Sequence, residues 1–241
     1  MVTFQELHPS TFVTFNDLGR VFASNILRQG RKHGAKRITV VFDTYLANSL
    51  KNGERQRRGD SNSEFNVAGS RKVPKYREFI RSLANKRSLL LFITNYFLTE
   101  VPNFLYESET LIVAGGFQNP QLCFEVSKIR GPKEMEGLNS SQEEADTRLI
   151  LHVLAELEAD NTILVKSVDT DVLILLLHFF CEISDMSLTN IYIQLGHDKN
   201  SHFLSINNIV ENLGADMCKK LLVIHCLTGC DTTNAMYKIG K

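Results

Sequence analysis

Several features that mark other protein classes are missing from this chain of 241 residues. It has no Cys-x-x-Cys pair, and its 5 cysteines form an odd set that lies partly inside apolar runs. This usage favours buried, reduced thiols over a disulfide framework. His197 and His202 share a polar stretch, but no cysteine pair accompanies them. The sequence therefore argues against a structural zinc site.

Long apolar runs and targeting segments are missing as well. No apolar run is long and uninterrupted enough to span a bilayer. The chain does not open with a positively charged region followed by an apolar stretch, as a signal peptide would. We expect a soluble intracellular protein with no membrane partner. A nuclear location is compatible with this expectation, although no clear basic import cluster stands out.

The chain also has no net charge at pH 7, because 27 basic residues balance 27 acidic ones. This balance argues against a generally basic coat, but it permits a local basic face, since net charge hides the distribution of charges. No glycine-rich phosphate loop follows a predicted strand, and serine and histidine do not form a recognisable triad motif. Nucleotide-binding loops and serine hydrolases are therefore disfavoured.

The first residues of the chain predict a capped helix followed by a strand. Hydrophobic residues make up 43% of the chain, enough for a core. Thr14 and Asp17 form a capping pattern that predicts a helix reaching about His33. The short β-branched run 38–42 is typical of a buried parallel strand, and it ends on Asp43.

The middle of the chain is harder to interpret. Residues 46–75 are polar and basic, which predicts a helical start followed by a loop. Pro74 opens a predicted helix that continues to about Lys86. Three apolar runs then predict strands, the last of them weakly: Leu89–Phe92, Leu111–Ala114 and Cys123–Val126.

The second half of the chain alternates between strands and helices. Strands are predicted at 162–166 and 191–194. Helices are predicted at 143–157, 172–180, 206–213 and 215–227. This alternation predicts an α/β fold with a mainly parallel central sheet and helices on both faces. No convincing linker divides residues 1–241, so a single domain is expected.

Acidic residues follow two of the predicted strands, open a predicted helix or follow the apolar run 221–224. They form four groups: Asp43; Glu143, Glu144 and Asp146; Asp169 and Asp171; and Asp231. In open α/β sheets, ligand sites form at the carboxyl ends of the strands, so these groups can converge. Clustered carboxylates repel one another unless a cation compensates, and magnesium prefers oxygen ligands. The pattern favours a divalent metal site.

Each acidic residue also has a structural explanation. Acids at helix starts, such as Glu144 and Asp171, are ordinary partners of the helix terminus. Asp43 is also explained as a turn residue, and Asp231 as a helix cap. The metal interpretation depends on the occurrence of all four groups together, in order, on the expected elements.

Six short segments, most of which contain these acidic residues, occur in a characteristic order along the chain. They are Val41-Phe42-Asp43, Lys51 with Glu54–Arg58, Ser141–Asp146, Ser167–Asp171, Leu227–Asp231 and Tyr237–Lys241. In this order they resemble the flap-endonuclease branch of the PIN-like nucleases. The matching family elements are an acidic strand, a basic helix, a paired-glutamate helix, an aspartate pair, a Leu-x-Gly-x-Asp element and the start of a helix-two-turn-helix.

The resemblance implies metal-dependent, structure-specific cleavage of nucleic-acid phosphodiesters, with DNA favoured over RNA. It implies two Mg²⁺ or Mn²⁺ ions held by Asp43, Glu144, Asp169, Asp171 and Asp231, with Glu143 and Asp146 as possible helpers. It further implies that Lys51 and Arg55 or Arg58 neutralise charge on the scissile phosphate. Lys238, Gly240 and Lys241 would lie in the turn that grips a DNA phosphate.

The chain departs from the family pattern in three places. Nothing before Asp43 reads as the family's first strand, which ends in a metal-binding aspartate. The first glutamate of the family's pair falls on Gln142 in the simplest alignment. The chain also stops at Lys241, inside the helix-two-turn-helix. We therefore expect a domain that is incomplete at both ends. The alternative is a PIN-like module that binds nucleic acid or protein without cutting.

Other readings of the same residues stay open. Lys51, Arg55 and Arg58 recur at helical spacing, which also suits a solvated helix face. A basic run near residue 72 could add contacts to a nucleic-acid backbone. A strand ending on Asp43 also suits an aspartyl-phosphate phosphatase, but that chemistry needs a second aspartate two residues later. Position 45 is tyrosine, which disfavours this class.

Overall fold

Helices and strands alternate along the part of the chain that the structure describes. The computed structural model describes residues 4, 7–44, 65–142, 144–158, 160–181, 189–196 and 201–228. The described residues contain both α-helices and β-strands throughout, which confirms the α/β class. The chain divides into two compact units, Val2–Ala145 and Asp146–Lys241, here called the N-terminal and C-terminal units. The single domain stays a prediction.

The N-terminal unit contains three helices and four strands within its described residues. In chain order these are α1 (Phe15–Lys32), β1 (Arg37–Val41), α2 (Tyr76–Phe79), α3 (Leu83–Thr99), β2 (Thr110–Ala114), β3 (Cys123–Ser127) and β4 (Gly131–Glu134). Short 3-10 turns occur at Pro9–Thr11, Val101–Phe104 and Glu136–Leu138. None of the described helices of the whole chain is long and apolar enough to cross a membrane.

The remaining elements extend from the unit boundary to residue 228. They are α4 (Ala145–Ala155), β5 (Thr162–Ser167), α5 (Thr170–Phe180), β6 (Asn190–Leu195), β7 (His202–Ser205), α6 (Ile206–Leu213) and α7 (Ala215–Thr228). The helix α4 begins at the last residue of the N-terminal unit. All six elements predicted in this half of the chain are present, with ends shifted by a few residues.

The predicted capping of α1 is confirmed. The Thr14 hydroxyl accepts a hydrogen bond from the backbone N–H of Asp17 at 3.2 Å, and the Asp17 carboxylate accepts one from the backbone N–H of Thr14 at 3.0 Å. These bonds satisfy backbone donors that have no partner inside the helix. The bond from the Thr14 N–H, together with one from the Thr14 hydroxyl at 2.8 Å, also holds the pKa of Asp17 below its ordinary value. The start of α1 is therefore fixed by local sequence.

The strands form two mixed sheets in the described residues. In the first, with order β1-β2-β3-β4, only β1 and β2 are parallel. In the second, with order β5-β6-β7, only β5 and β6 are parallel. The mainly parallel sheet that the sequence predicts is thus not found in this part of the chain. The turns after β2 and β3 are short, and a parallel crossover needs a dozen or more residues.

Two predictions for residues 74–92 are wrong. The helix expected after Pro74 is interrupted, because α2 ends at Phe79 and α3 begins at Leu83 with the Ser82 hydroxyl as its cap. The strand expected at Leu89–Phe92 lies inside α3. A short apolar run cannot distinguish a buried strand from a buried helix segment, and here the run continues as one long buried helix.

Phenylalanine rings contact one another within the core of the N-terminal unit. Phe15 and Phe22 of α1 are buried in the same core as Phe97 of α3, and the rings of Phe22 and Phe97 stack with centroids 5.9 Å apart. Phe42 joins them at the end of β1, 6.3 Å from both rings. Rings this large bury much apolar surface each. The segment that leads to Asp43 is therefore anchored by its own phenylalanine.

The C-terminal unit has a separate, mainly aliphatic core. Val172 and Leu176 of α5 pack with Ile191 and Ile193 of β6. The helix α7 contributes Cys218, which is fully buried. Val165 of β5 belongs to the same core, so residues of α5, β5 and β6 are buried together.

An ion pair ties α1 to the segment before β2. The Arg31 guanidinium donates to both carboxylate oxygens of Glu109 at 2.7 and 2.6 Å, and it also donates to the backbone oxygen of Phe104 at 2.7 Å. The Glu109 side chain is only 6% exposed. The hydrogen bond from Arg31 holds the pKa of Glu109 below its ordinary value of 4.5.

We expect Glu109→Gln to destabilise the N-terminal unit by about 1.5–3 kcal/mol at pH 7, because it removes a bidentate bond to a charged group. A carboxyl group with a lowered pKa in the fold stabilises the protein above its unfolded pKa. This contribution is lost as the pH falls through the folded pKa. The effect of Glu109→Gln on urea unfolding should therefore shrink between pH 6 and pH 3.

Glu78→Gln is the matched control for this experiment. Glu78 forms an exposed pair with Lys75, at 3.5 Å, in the same unit. Exposed pairs contribute about 0–1 kcal/mol, so the control should change stability little at any pH. An equal effect of the two variants would show that the Arg31–Glu109 pair contributes no more than a surface pair.

Candidate functional site

Asp43 lies directly beyond the strand β1 of the N-terminal unit. The pairing of β1 with β2 extends past the strand end, because the Phe42 N–H donates to the backbone oxygen of Ala114 at 2.9 Å. The carboxylate of Asp43 then accepts a hydrogen bond from the backbone N–H of Ala145 at 3.0 Å. Asp43 is half-buried. The Asp43 side chain thus contacts the backbone of the predicted glutamate segment, Ser141–Asp146.

Glu144 precedes Ala145, so two of the predicted site residues are neighbours in the N-terminal unit. Both Asp43 and Glu144 are half-buried. The bond between Asp43 and Ala145 joins residues that are 102 positions apart in the chain. Asp146 lies one residue further, in the first turn of α4, and belongs to the C-terminal unit.

Asp169 and Asp171 form a compact turn between β5 and α5. The hydroxyl of buried Ser167 accepts a hydrogen bond from the Asp169 N–H at 3.0 Å. The Asp169 carboxylate in turn accepts one from the Asp171 N–H at 3.0 Å, which makes Asp169 the N-cap of α5. Serine and aspartate at these positions are therefore favoured by the turn itself, apart from any function.

His225 contacts this turn from α7. Its Nε2 lies 2.8 Å from Oδ1 of Asp171, and the two side chains are 24% and 25% exposed. The backbone oxygen of His225 accepts a hydrogen bond from the Thr228 hydroxyl at 3.1 Å. Asp169 and Asp171 thus share the turn at the start of α5, and His225 contacts the second of them.

The two carboxylates of this turn have oxygen donors of the kind that suits a hard divalent cation. Asp169 and Asp171 each use Oδ1 in a hydrogen bond, and no other described residue donates to either carboxylate. One oxygen of each therefore stays available as the kind of ligand that Mg²⁺ and Mn²⁺ prefer. Among the described residues of either unit, no three Asp, Glu, His or Cys side chains form a metal-binding group.

Several residues of the predicted site lie outside the described residues. They are the acids Glu143 and Asp231, the basic residues Lys51, Arg55 and Arg58, and the predicted phosphate contacts Lys238, Gly240 and Lys241. Their roles stay predictions. The described members of the site are Asp43 and Glu144 in one unit, and Asp146, Asp169 and Asp171 in the other.

The cysteines follow the prediction in part. Cys123 and Cys218 are buried, Cys181 is half-buried, and Cys226 is exposed. Burial raises the pKa of the Cys218 thiol above its ordinary value of 9.0. A thiol with a raised pKa is a poor nucleophile at neutral pH, so Cys218 acts as a core residue.

His225 is a candidate functional residue that no sequence motif indicates. The available signal is helical periodicity: Cys218, Leu221 and His225 are spaced by three and four residues, which places them on one face of α7. Cys218 is buried and Leu221 packs against the same core. The sequence therefore predicts a histidine on the inward face of α7, but it does not predict that Asp171 is its partner.

Comparison with known protein families, with curated proteins and with solved structures finds no match to this chain. The functional interpretation therefore depends on the residues and their geometry.

Proposed function

We propose that this chain is a metal-dependent nuclease that hydrolyses phosphodiester bonds of structured nucleic acid, with DNA favoured over RNA. The proposal includes a PIN-like arrangement in which helices cover both faces of the sheet. The observation that carries it is the pair Asp169 and Asp171. These carboxylates are separated by one residue, follow the end of β5 and occupy the start of α5.

The position of Asp43 supports the same proposal. In each sheet, one pair of strands is parallel, β1 with β2 and β5 with β6. Asp43 follows β1 and Asp169 follows β5, each by two residues. The carboxyl ends of parallel strands are where α/β proteins build their ligand sites. Both acids therefore follow strand ends of the kind at which α/β proteins form ligand sites.

The residues of this chain would have three roles: metal binding, neutralisation of charge on the phosphate and contact with the substrate backbone. Carboxylate oxygens would bind the two ions and fix their positions; the proposed ligands are Asp43, Glu144, Asp169, Asp171 and Asp231, with Glu143 and Asp146 assisting. Two Mg²⁺ or Mn²⁺ ions, when bound, would activate the attacking water and stabilise the leaving oxygen. Lys51 and either Arg55 or Arg58 would neutralise charge on the phosphate, while Lys238, Gly240 and Lys241 would contact the backbone of the substrate.

Cleavage of a labelled 5′-flap DNA tests the proposal. The chain should cut the flap with Mg²⁺ or Mn²⁺ present and should not cut when EDTA removes the metal. Binding to the same DNA should weaken as salt rises, because phosphate contacts release counterions. A single-stranded DNA and an RNA flap, tested in parallel, report the preference for structure and for sugar.

A second candidate is a PIN-like module that binds nucleic acid or protein without cutting. It is favoured by the structural use of the acids, since Asp43 accepts the Ala145 N–H and Asp169 caps α5. The same assay separates the two functions. DNA binding without cleavage, at any metal concentration tested, would select the binding module and reject the nuclease.

A further inference from the structure

The contact between α5 and α7 has a polar part and an apolar part. The polar part is the bond between Nε2 of His225 and Oδ1 of Asp171, at 2.8 Å. The apolar part comes from the shared core, to which α5 contributes Val172 and Leu176 and α7 contributes Cys218. The two helices are therefore already joined without the His225–Asp171 bond.

We infer that His225 is a positioning residue, which holds the Asp171 carboxylate in the orientation that metal binding requires. This inference rests on the proposed function and deepens it. His225 occupies one carboxylate oxygen of Asp171, and no other described residue donates to that carboxylate. The second oxygen is thus left for a cation, and rotation of the carboxylate would break the bond to the histidine.

The neighbouring turn fixes the rest of the arrangement. The backbone N–H of Asp171 donates to Asp169, whose own N–H donates to Ser167. The backbone of this segment is held by these two bonds, while the Asp171 side chain is held by His225 alone among the described residues. Carboxylate ligands of metals are commonly held by such outer hydrogen bonds, and losing one typically weakens metal binding about 10–100-fold.

A purely structural pair would behave differently. Both side chains are about one quarter exposed, and pairs that water reaches contribute little to stability. The placement also agrees with the helix dipoles, because Asp171 lies in the first turn of α5 and His225 in the last turn of α7. A structural role would therefore change the melting temperature slightly and leave metal affinity unaltered.

Titration with Mn²⁺ alone, followed by the EPR signal of the free ion, tests the assignment on the full chain. His225→Ala should weaken Mn²⁺ binding by about 10–100-fold. His225→Gln places an amide N–H near the position of Nε2, and it should restore affinity to within about threefold of the unchanged chain. His202→Gln is the matched control, since His202 is exposed on β7 in the same unit.

The outcomes separate this inference from the function on which it rests. Equal Mn²⁺ affinity of the unchanged chain and His225→Ala would overturn the positioning role, and so would an equal loss in His225→Gln and His225→Ala. If the unchanged chain binds no Mn²⁺, the proposed nuclease function itself is overturned, and this inference falls with it. The melting temperature of His225→Ala should fall by less than about 4 °C, which shows that a loss of affinity is not a loss of fold.

Discussion

Asp171→Asn is expected to lower metal-dependent DNA cleavage by about a thousandfold or more while leaving DNA binding largely intact. A metal ion in such a site stabilises the transition state by several kcal/mol, and each 1.36 kcal/mol corresponds to about tenfold in rate. The substitution keeps the shape of the side chain but removes its charge. The amide oxygen still accepts a hydrogen bond from His225, so the contact at 2.8 Å between α5 and α7 is preserved. Cleavage rates at saturating Mg²⁺ are the measurement.

Asp216→Asn is the matched control for this substitution. Asp216 lies in the first turn of α7 in the same unit, and its side chain is 83% exposed beside Lys220. The control makes the same chemical change away from the turn between β5 and α5, so it should cut at the unchanged rate. Cleavage by Asp171→Asn at a rate similar to the control would remove Asp171 from the site.

Phe97→Ala is expected to lower the free energy of unfolding of the N-terminal unit by about 3–5 kcal/mol, the usual cost of truncating a buried phenylalanine. The Phe97 side chain has no exposed surface, and it contacts the rings of Phe22 and Phe42. Because domains are typically stable by about 5–15 kcal/mol, this is a large share of the total. The slowest exchanging amides of α3 report the loss by hydrogen exchange.

The control for this experiment is Ile129→Ala, in the turn between β3 and β4. The Ile129 side chain is 73% exposed, so its truncation should change stability by no more than about 0.5 kcal/mol. If both variants change the exchange of α3 amides equally, the ring cluster does not stabilise the unit in the way that its burial indicates.

Sequence patterns over a few residues predict an element well when hydrogen bonds between nearby residues fix its ends. The start of α1 depends on Thr14 and Asp17, which are three residues apart, and its prediction is confirmed. The strand β4 was missed because Gly131 and Pro132 count against a strand, although an edge strand tolerates proline. The strand β7 was missed because its sequence is short and begins with a histidine. Such strands form because they pair with a neighbouring strand, and no local sequence pattern indicates that pairing.

The candidate site shows the same division between local and distant information. The pair Asp169 and Asp171 was predicted from sequence because one turn fixes both residues. The bond between Asp43 and Ala145 and the contact of His225 with Asp171 each join residues far apart in the chain. Their geometry is set by the packing of whole elements, so the sequence predicts the chemistry of these residues better than their partners.

The pairing of β1 with β2 has a consequence for synthesis of the protein. The first strand begins at Arg37, but its parallel partner begins only at Thr110. At about 5–20 residues per second, a ribosome needs roughly 4–15 s to make the chain between them. During that time α1 can already form, because its cap is local, while β1 waits with an unpaired edge. Until Thr110–Ala114 has been made, the backbone groups of β1 that pair with β2 have no strand partner from that segment.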